Sequence, residues 1–168
     1  MSENGRDARW WLLLLSVFVI VADRVTKWLA ATRIELGSHV IVIQHVFAIS
    51  HVENDGAAFS LFNDSSSPAR VRWMLLFFSL LAAVAVLIAL FKLGRKVSAT
   101  TVALALILGG ALGNAYDRLK FGHVIDFLEV HIIHYHWPDF NVADSAIVVG
   151  AILLMLDALF SGKEETVS

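Results

Sequence analysis

The chain has no cysteine among its 168 residues. That excludes disulfides, thiol nucleophiles and thiolate metal sites, and it leaves any catalysis to oxygen and nitrogen groups. Charge is scarce as well: Asp, Glu, Lys and Arg make up 17% of the residues, and a net charge of -2 gives no basic footprint for nucleic acid. No segment repeats another, as the halves of many transporters do. What is abundant is apolar. Hydrophobic residues are 58% of the chain and the mean hydropathy is +0.71, a balance that belongs to membrane proteins. These proportions describe a single integral membrane domain over residues 1–168.

A helix that crosses a bilayer needs about 20 mostly apolar residues. Four stretches qualify, at about 10–31, 73–91, 97–116 and 142–160. The N-terminal run begins like a signal peptide, but its apolar character continues past Asp23 to Ala31 without a small-residue cleavage pattern, so it reads as an uncleaved helix. Four spans place both termini on one side. Residues 1–9, 92–96 and 161–168 hold six Lys and Arg in 22 positions, against five in 66 for residues 32–72 and 117–141. The positive-inside bias therefore predicts cytoplasmic termini and outward-facing long connections. The segment at about 34–62 is rich in Val, Ile and Phe, partly alternating, with a glycine near each end, and predicts short β-strands lying on the outer membrane surface. "NDSSSPARVR" reads as a loop into the second span, and residues 117–141 as an outer loop.

The polar residues inside this apolar frame converge at one depth. Asp23 and Lys27 lie in the outer half of the first span, Asn114 closes the third, Arg118 and Asp126 follow in the outer loop, and Asn141 and Asp144 open the fourth. Simpler roles exist for several of them. Asp23 and Lys27, four apart, can form a neutralising helix pair. Asn141 and Asp144 fit an N-cap with an acidic third residue. The glycines of "GGALGNAYDR" fit close helix packing. Asp126 is harder to dismiss, being flanked by Ile125 and Phe127 with no charged partner nearby in sequence. Asp157 lies near the inner end of the fourth span and is left out of the site. "HIIHYHWPD" offers His131, His134, His136 and Asp139, but the spacing fits no tight metal template, so it is read as a solvated loop and no metal is expected.

Two carboxylates brought close cannot both ionise cheaply. One keeps a proton while the other acts as base, and that pair hydrolyses amides with water as nucleophile and no cofactor. The helix dipole favours charge on Asp144 and apolar neighbours favour the neutral form of Asp126, so Asp144 is the expected resting base and Asp126 the resting acid. A proton-coupled transporter would also need intramembrane carboxylates, though usually near the midplane. A scaffold that merely binds lipidated partners is a second alternative.

The blocks "DRVTK" (23–27), "NDGAAF" (54–59), "GGALGNAYDR" (109–118), "GHVIDF" (122–127) and "FNVAD" (140–144) resemble, in order and spacing, the motifs of the bacterial lipoprotein signal peptidase (signal peptidase II) family. The resemblance implies a mainly α-helical, four-span aspartic endopeptidase of the bacterial inner membrane, with a small periplasmic β-sheet cradle and an active site near the periplasmic face. It implies cleavage of diacylglyceryl-modified prolipoproteins immediately before the lipidated cysteine, by a metal-free Asp126–Asp144 dyad. Asp23, Lys27, Asn54, Gly56, Asn114, Arg118, Asn141 and Ala143 would bind substrate or support the pocket. Membrane lipid and the prolipoprotein are the expected partners, and the chain is expected to act as a monomer.

Overall fold

A computed structural model describes residues 7–56, 68–133 and 135–161. Its elements in chain order are α1 (Arg9–Arg33), β1 (His39–Ile43), β2 (Phe47–Asn54), α2 (Pro68–Leu93), α3 (Ala99–Lys120), β3 (Val124–Ile132), β4 (Tyr135–Phe140) and α4 (Val142–Ser161). Residues 57–62 of the expected β-cradle, residues 63–67 of the expected loop and His134 lie outside the described residues.

Three helices, α2, α3 and α4, are long and apolar enough to cross a bilayer by length and composition. The fourth, α1, has the length, 25 residues, but carries Asp23, Arg24 and Lys27 in its second half. Its buried residues Leu12, Ser16, Val19, Asp23, Lys27 and Ala30 recur every three or four positions and so form one stripe. The opposite face presents Trp10, Trp11, Phe18, Val21 and Trp28 outward. An outward face this apolar suits lipid rather than water.

The hub is α3, which packs against all three other helices. Its buried surface is built largely from small residues, among them Ala103, Ala105, Gly109, Gly110, Ala111 and Gly113, which lets backbones approach closely. A Cβ on Gly109 would stand 2.8 Å from the Ser16 carbonyl oxygen and 2.7 Å from Val19 Cβ. The close-packing reading of these glycines therefore holds. Ser98 caps the helix, accepting from Thr101 N at 3.2 Å while Thr101 Oγ1 accepts from Ser98 N at 2.8 Å, so α3 starts at Ala99 rather than at 97. It also runs four residues past 116, which puts Arg118 on the helix and not in a loop.

The sheet has four antiparallel strands in the order β1-β2-β3-β4. Residues 117–141, expected as a loop, are instead the last turn of α3 followed by the β3–β4 hairpin. The alternation of β3 is hidden in sequence because Asp126 and Glu129 interrupt it and both are buried. Its partner β2 also lies some 70 residues away, with Val52 opposite Asp126. Pro138 sits in β4, an edge strand, where its missing N–H breaks no ladder toward a further strand. The ends of α1 and α3, the starts of α2 and α4, and the sheet all lie at one end of the bundle. The apolar cluster of Ala8, Leu12, Leu90, Leu104 and Ala105 fills the other.

Candidate active site at the helix–sheet junction

The first layer of the site is a buried set of charges shared between α1 and α3. Lys27 Nζ lies 2.8 Å from Asp23 Oδ2 and 2.8 Å from Asp117 Oδ2, and all three side chains are fully buried. Arg24 forms a second ion pair with Asp117 and lies over the Tyr116 and Phe121 rings. Two cations thus meet two anions, which is how a membrane interior tolerates charge. The helix-pair reading of Asp23 and Lys27 is right as far as it goes, but the pair is also wired to its neighbours. Asp23 Oδ1 accepts from the backbone N–H of Ala143 at 2.9 Å, satisfying one of the free amides at the start of α4. Ala143 is completely buried there, and a Cβ on Gly113 beside it would press to 3.0 Å from Asp23 Oδ2.

The second layer consists of three asparagines, each gripping a fixed donor with its oxygen and aiming its amide at a carboxylate. Asn114 Oδ1 accepts from Lys27 Nζ at 3.0 Å, and its Nδ2 donates to Asp144 Oδ1 at 2.7 Å. Asn141 Oδ1 accepts from the Asp144 N–H at 2.9 Å, and its Nδ2 donates to Asp126 Oδ1 at 2.7 Å. Asn54 Oδ1 accepts from the Gly56 N–H at 2.8 Å, and its Nδ2 donates to Asp126 Oδ2 at 2.8 Å. Because an amide has one acceptor end and one donor end, occupying the oxygen fixes which way the nitrogen points. Gly56 closes this turn at φ +92°, a conformation that favours glycine.

Asp126 and Asp144 are thereby held around one residue. Asn141 donates its side-chain amide to Asp126, while its backbone N–H donates to Asp144 Oδ2 at 3.3 Å. The expected N-cap pairing of Asn141 and Asp144 is present, with Asn141 Oδ1 in the capping role, and it coexists with the contact to Asp126. Asp126 is 2% exposed, and burial pushes its carboxyl up to about 6, against the opposing hydrogen bonds from Asn54 and Asn141. The nearby Asp144 charge adds to the rise. Arg118, half-buried in the last turn of α3, donates to the Asn114 carbonyl at 3.4 Å and lies within Coulomb range of both carboxylates. An open cavity of about 340 Å³ reaches Asp126, lined also by Val52, Asn54, His136, Pro138 and Asp139.

All ten residues singled out from the sequence fall in this junction. Two members went unread, Asp117 and Arg24. Asp117 follows Asn114 by three positions and so shares its helix face, which was the available signal. Asp157, excluded on sequence, hydrogen-bonds with Thr100 at the other end of α3.

Residues 15–160 match the family described as Signal peptidase (SPase) II. A lipoprotein signal peptidase of Pseudomonas fluorescens is 42% identical over 160 residues, covering 95% of this chain and 93% of that one. One of Solibacter usitatus is 43% identical over 156 residues, covering 91% and 93%. Among solved structures, a bacterial membrane enzyme determined at 2.3 Å superposes with a TM-score of 0.81 at 30% identity, covering 94% of this chain and 92% of the other. A second such enzyme, at 1.9 Å, gives 0.78 at 32% identity over 89% and 92%.

Proposed function

We propose, from the premise that this chain belongs to the signal peptidase II family, that it hydrolyses prolipoproteins with a water molecule activated between Asp126 and Asp144. As a member it is a protease that removes lipoprotein signal peptides. The finer reading concerns how and where. The observation that carries it is the bridge through Asn141, whose amide and backbone N–H reach one carboxylate each.

In the proposed reaction, ionised Asp144 takes a proton from water as the oxygen attacks the scissile carbonyl carbon. Protonated Asp126 donates a hydrogen bond, then a proton, to the developing oxyanion. Collapse of the tetrahedral intermediate breaks the C–N bond, and the leaving nitrogen takes up a proton from the dyad. The raised carboxyl of Asp126 supports its assignment as the acid, and the pair shares its titration. Arg118 and the Lys27–Asn114 relay hold positive charge and a fixed donor beside Asp144.

The substrate is a prolipoprotein already bearing a diacylglyceryl cysteine, cut immediately before that residue. Its acyl chains would lie in the bilayer and its peptide bond near the headgroups, the depth of a site at the end of a helix bundle. Four spans, α1 included, with cytoplasmic termini and the sheet in the periplasm, fit this arrangement. In α1 the three mid-helix charges are Asp23, Arg24 and Lys27, and each is paired internally, so crossing leaves no unpaired charge in lipid.

The test is processing of a diacylglyceryl prolipoprotein by purified protein in lipid. Asp126→Asn and Asp144→Asn should each lower turnover by about 10⁴-fold or more while circular dichroism and substrate binding persist. Cleavage at wild-type rate by either variant would end the dyad reading.

A further inference from the structure

Apart from the dyad, the described residues contain one more convergence of side chains with coordination chemistry, on the β3–β4 hairpin. Successive side chains in a strand alternate faces, so Glu129 and His131 project to the same side of β3. The hairpin register sets His131 directly opposite His136, at the separation where cross-strand side chains touch. Residues distant by five and seven positions in sequence are thus brought side by side, which linear spacing conceals.

The resulting geometry is tight. Glu129 Oε1 lies 2.7 Å from His131 Nε2 and 3.6 Å from His136 Nε2. The two imidazoles stack with centroids 4.8 Å apart and planes inclined by 18°. One ligand atom from each of the three residues falls within 4.8 Å of the others. Two further donors stand at the margin: His39 Nδ1 on β1, 3.7 Å from Glu129 Oε2, and Asp139 Oδ1 on β4, 3.4 Å from His136 Nε2. The Glu129 side chain is 11% exposed whereas the His136 side chain is 54% exposed, so a fixed, shielded anion sits beneath an imidazole open to solution.

From this we propose that Glu129, His131 and His136 form a binding site for a divalent transition-metal ion on the outward sheet. In a tetrahedral zinc site, ligand atoms about 2.0–2.2 Å from the metal stand roughly 3.4 Å from one another. The two Glu129 distances bracket that value. An imidazole pair with one carboxylate suits zinc, copper, nickel or cobalt, and lacks the all-oxygen shell that calcium or magnesium requires. Water, His39 or Asp139 completes the coordination. The site shares no ligand with the Asp126–Asp144 pair, although His136 and Asp139 also line the cavity that reaches Asp126, and it does not depend on the proteolytic reading.

The experiment is a Zn²⁺ titration by calorimetry of the full chain in lipid nanodiscs, purified with a histidine-free tag, with Co²⁺ absorption as the report on geometry. One Zn²⁺ per chain is expected, with the intense visible bands of tetrahedral Co²⁺. His131→Ala and His136→Ala should each weaken binding by about 100-fold, and Glu129→Gln by at least about 10-fold. His123→Ala, just before β3, should leave binding unchanged, and thermal unfolding of each variant without metal shows that the fold persists. A dissociation constant weaker than about 1 mM, equal binding by the His131→Ala/His136→Ala double variant, or equal preference for Mg²⁺ would each overturn the proposal.

Discussion

Lys27 is the residue on which the buried charge balance turns. It serves Asp23, Asp117 and Asn114 at once, from a position with no solvent access. Removing one partner from a buried ion network typically costs about 3–5 kcal/mol, because an uncompensated charge remains. Lys27→Met should therefore lower the unfolding temperature strongly in detergent. Adding Asp23→Asn should recover part of the loss, since Arg24 still neutralises Asp117; a double variant no more stable than the single would contradict this network. Asn54 tests the other carboxylate. Its donor favours the ionised form of Asp126, whereas burial raises the carboxyl to about 6. If Asp126 must be protonated, cleavage by the free enzyme declines as pH rises through that region. Asn54→Ala removes a bond to a charged group worth about 1.5–3 kcal/mol, so the alkaline limb should move upward by about one to two pH units. A downward or absent shift in kcat/KM against pH would refute the assignment. At this scale the sequence exposed residues whose type is anomalous in lipid, such as Asp23 and Lys27, though not Arg24 beside them. It concealed Asp117, which in "YDRLK" resembles an ordinary charge at a membrane edge until α1 packs beside it.

Among elements, α3 decides how the site is assembled, since its face of small residues sets the distance to α4. A Cβ on Gly110 would collide with the Ala143 carbonyl oxygen and lie 2.7 Å from Ile147 Cγ1. That contact is one residue from Asp144. Gly110→Ala should destabilise the bundle by about 1–3 kcal/mol through overpacking, yet lower cleavage by about 100-fold, because displacement of a reacting group by 1 Å is enough. Measuring kcat beside the unfolding temperature separates the two effects; unchanged kcat would show that α4 accommodates the methyl without moving Asp144. Helices were legible here because apolar length and the Asn141 capping pattern are local signals. The β3–β4 hairpin was not, since its pairing partner β2 is remote and the carboxylates Asp126 and Glu129 break the apolar alternation of β3.

On the scale of the whole molecule, polarity is segregated by depth. Apolar clusters fill one end of the bundle and the paired charges, asparagines and sheet occupy the other. With Lys and Arg concentrated near the termini and the α2–α3 turn, that polar end should face outward. A chain free of cysteine makes this directly measurable. A single cysteine at Ile133, 87% exposed on the hairpin, should react with a membrane-impermeant maleimide in spheroplasts, and one at Lys96 should react only after lysis. The reverse pattern would invert the topology.

The sequence by itself determined the membrane class, the helical frame and the set of polar residues that such a frame cannot carry without purpose, because hydrophobic length and buried charge are costs visible one residue at a time. Only the tertiary structure decided which of those residues meet. The Asn141 bridge, the Lys27 network and the Glu129–His131–His136 cluster each depend on elements brought together by helix packing or strand register, and none of these distances is encoded in spacing along the chain.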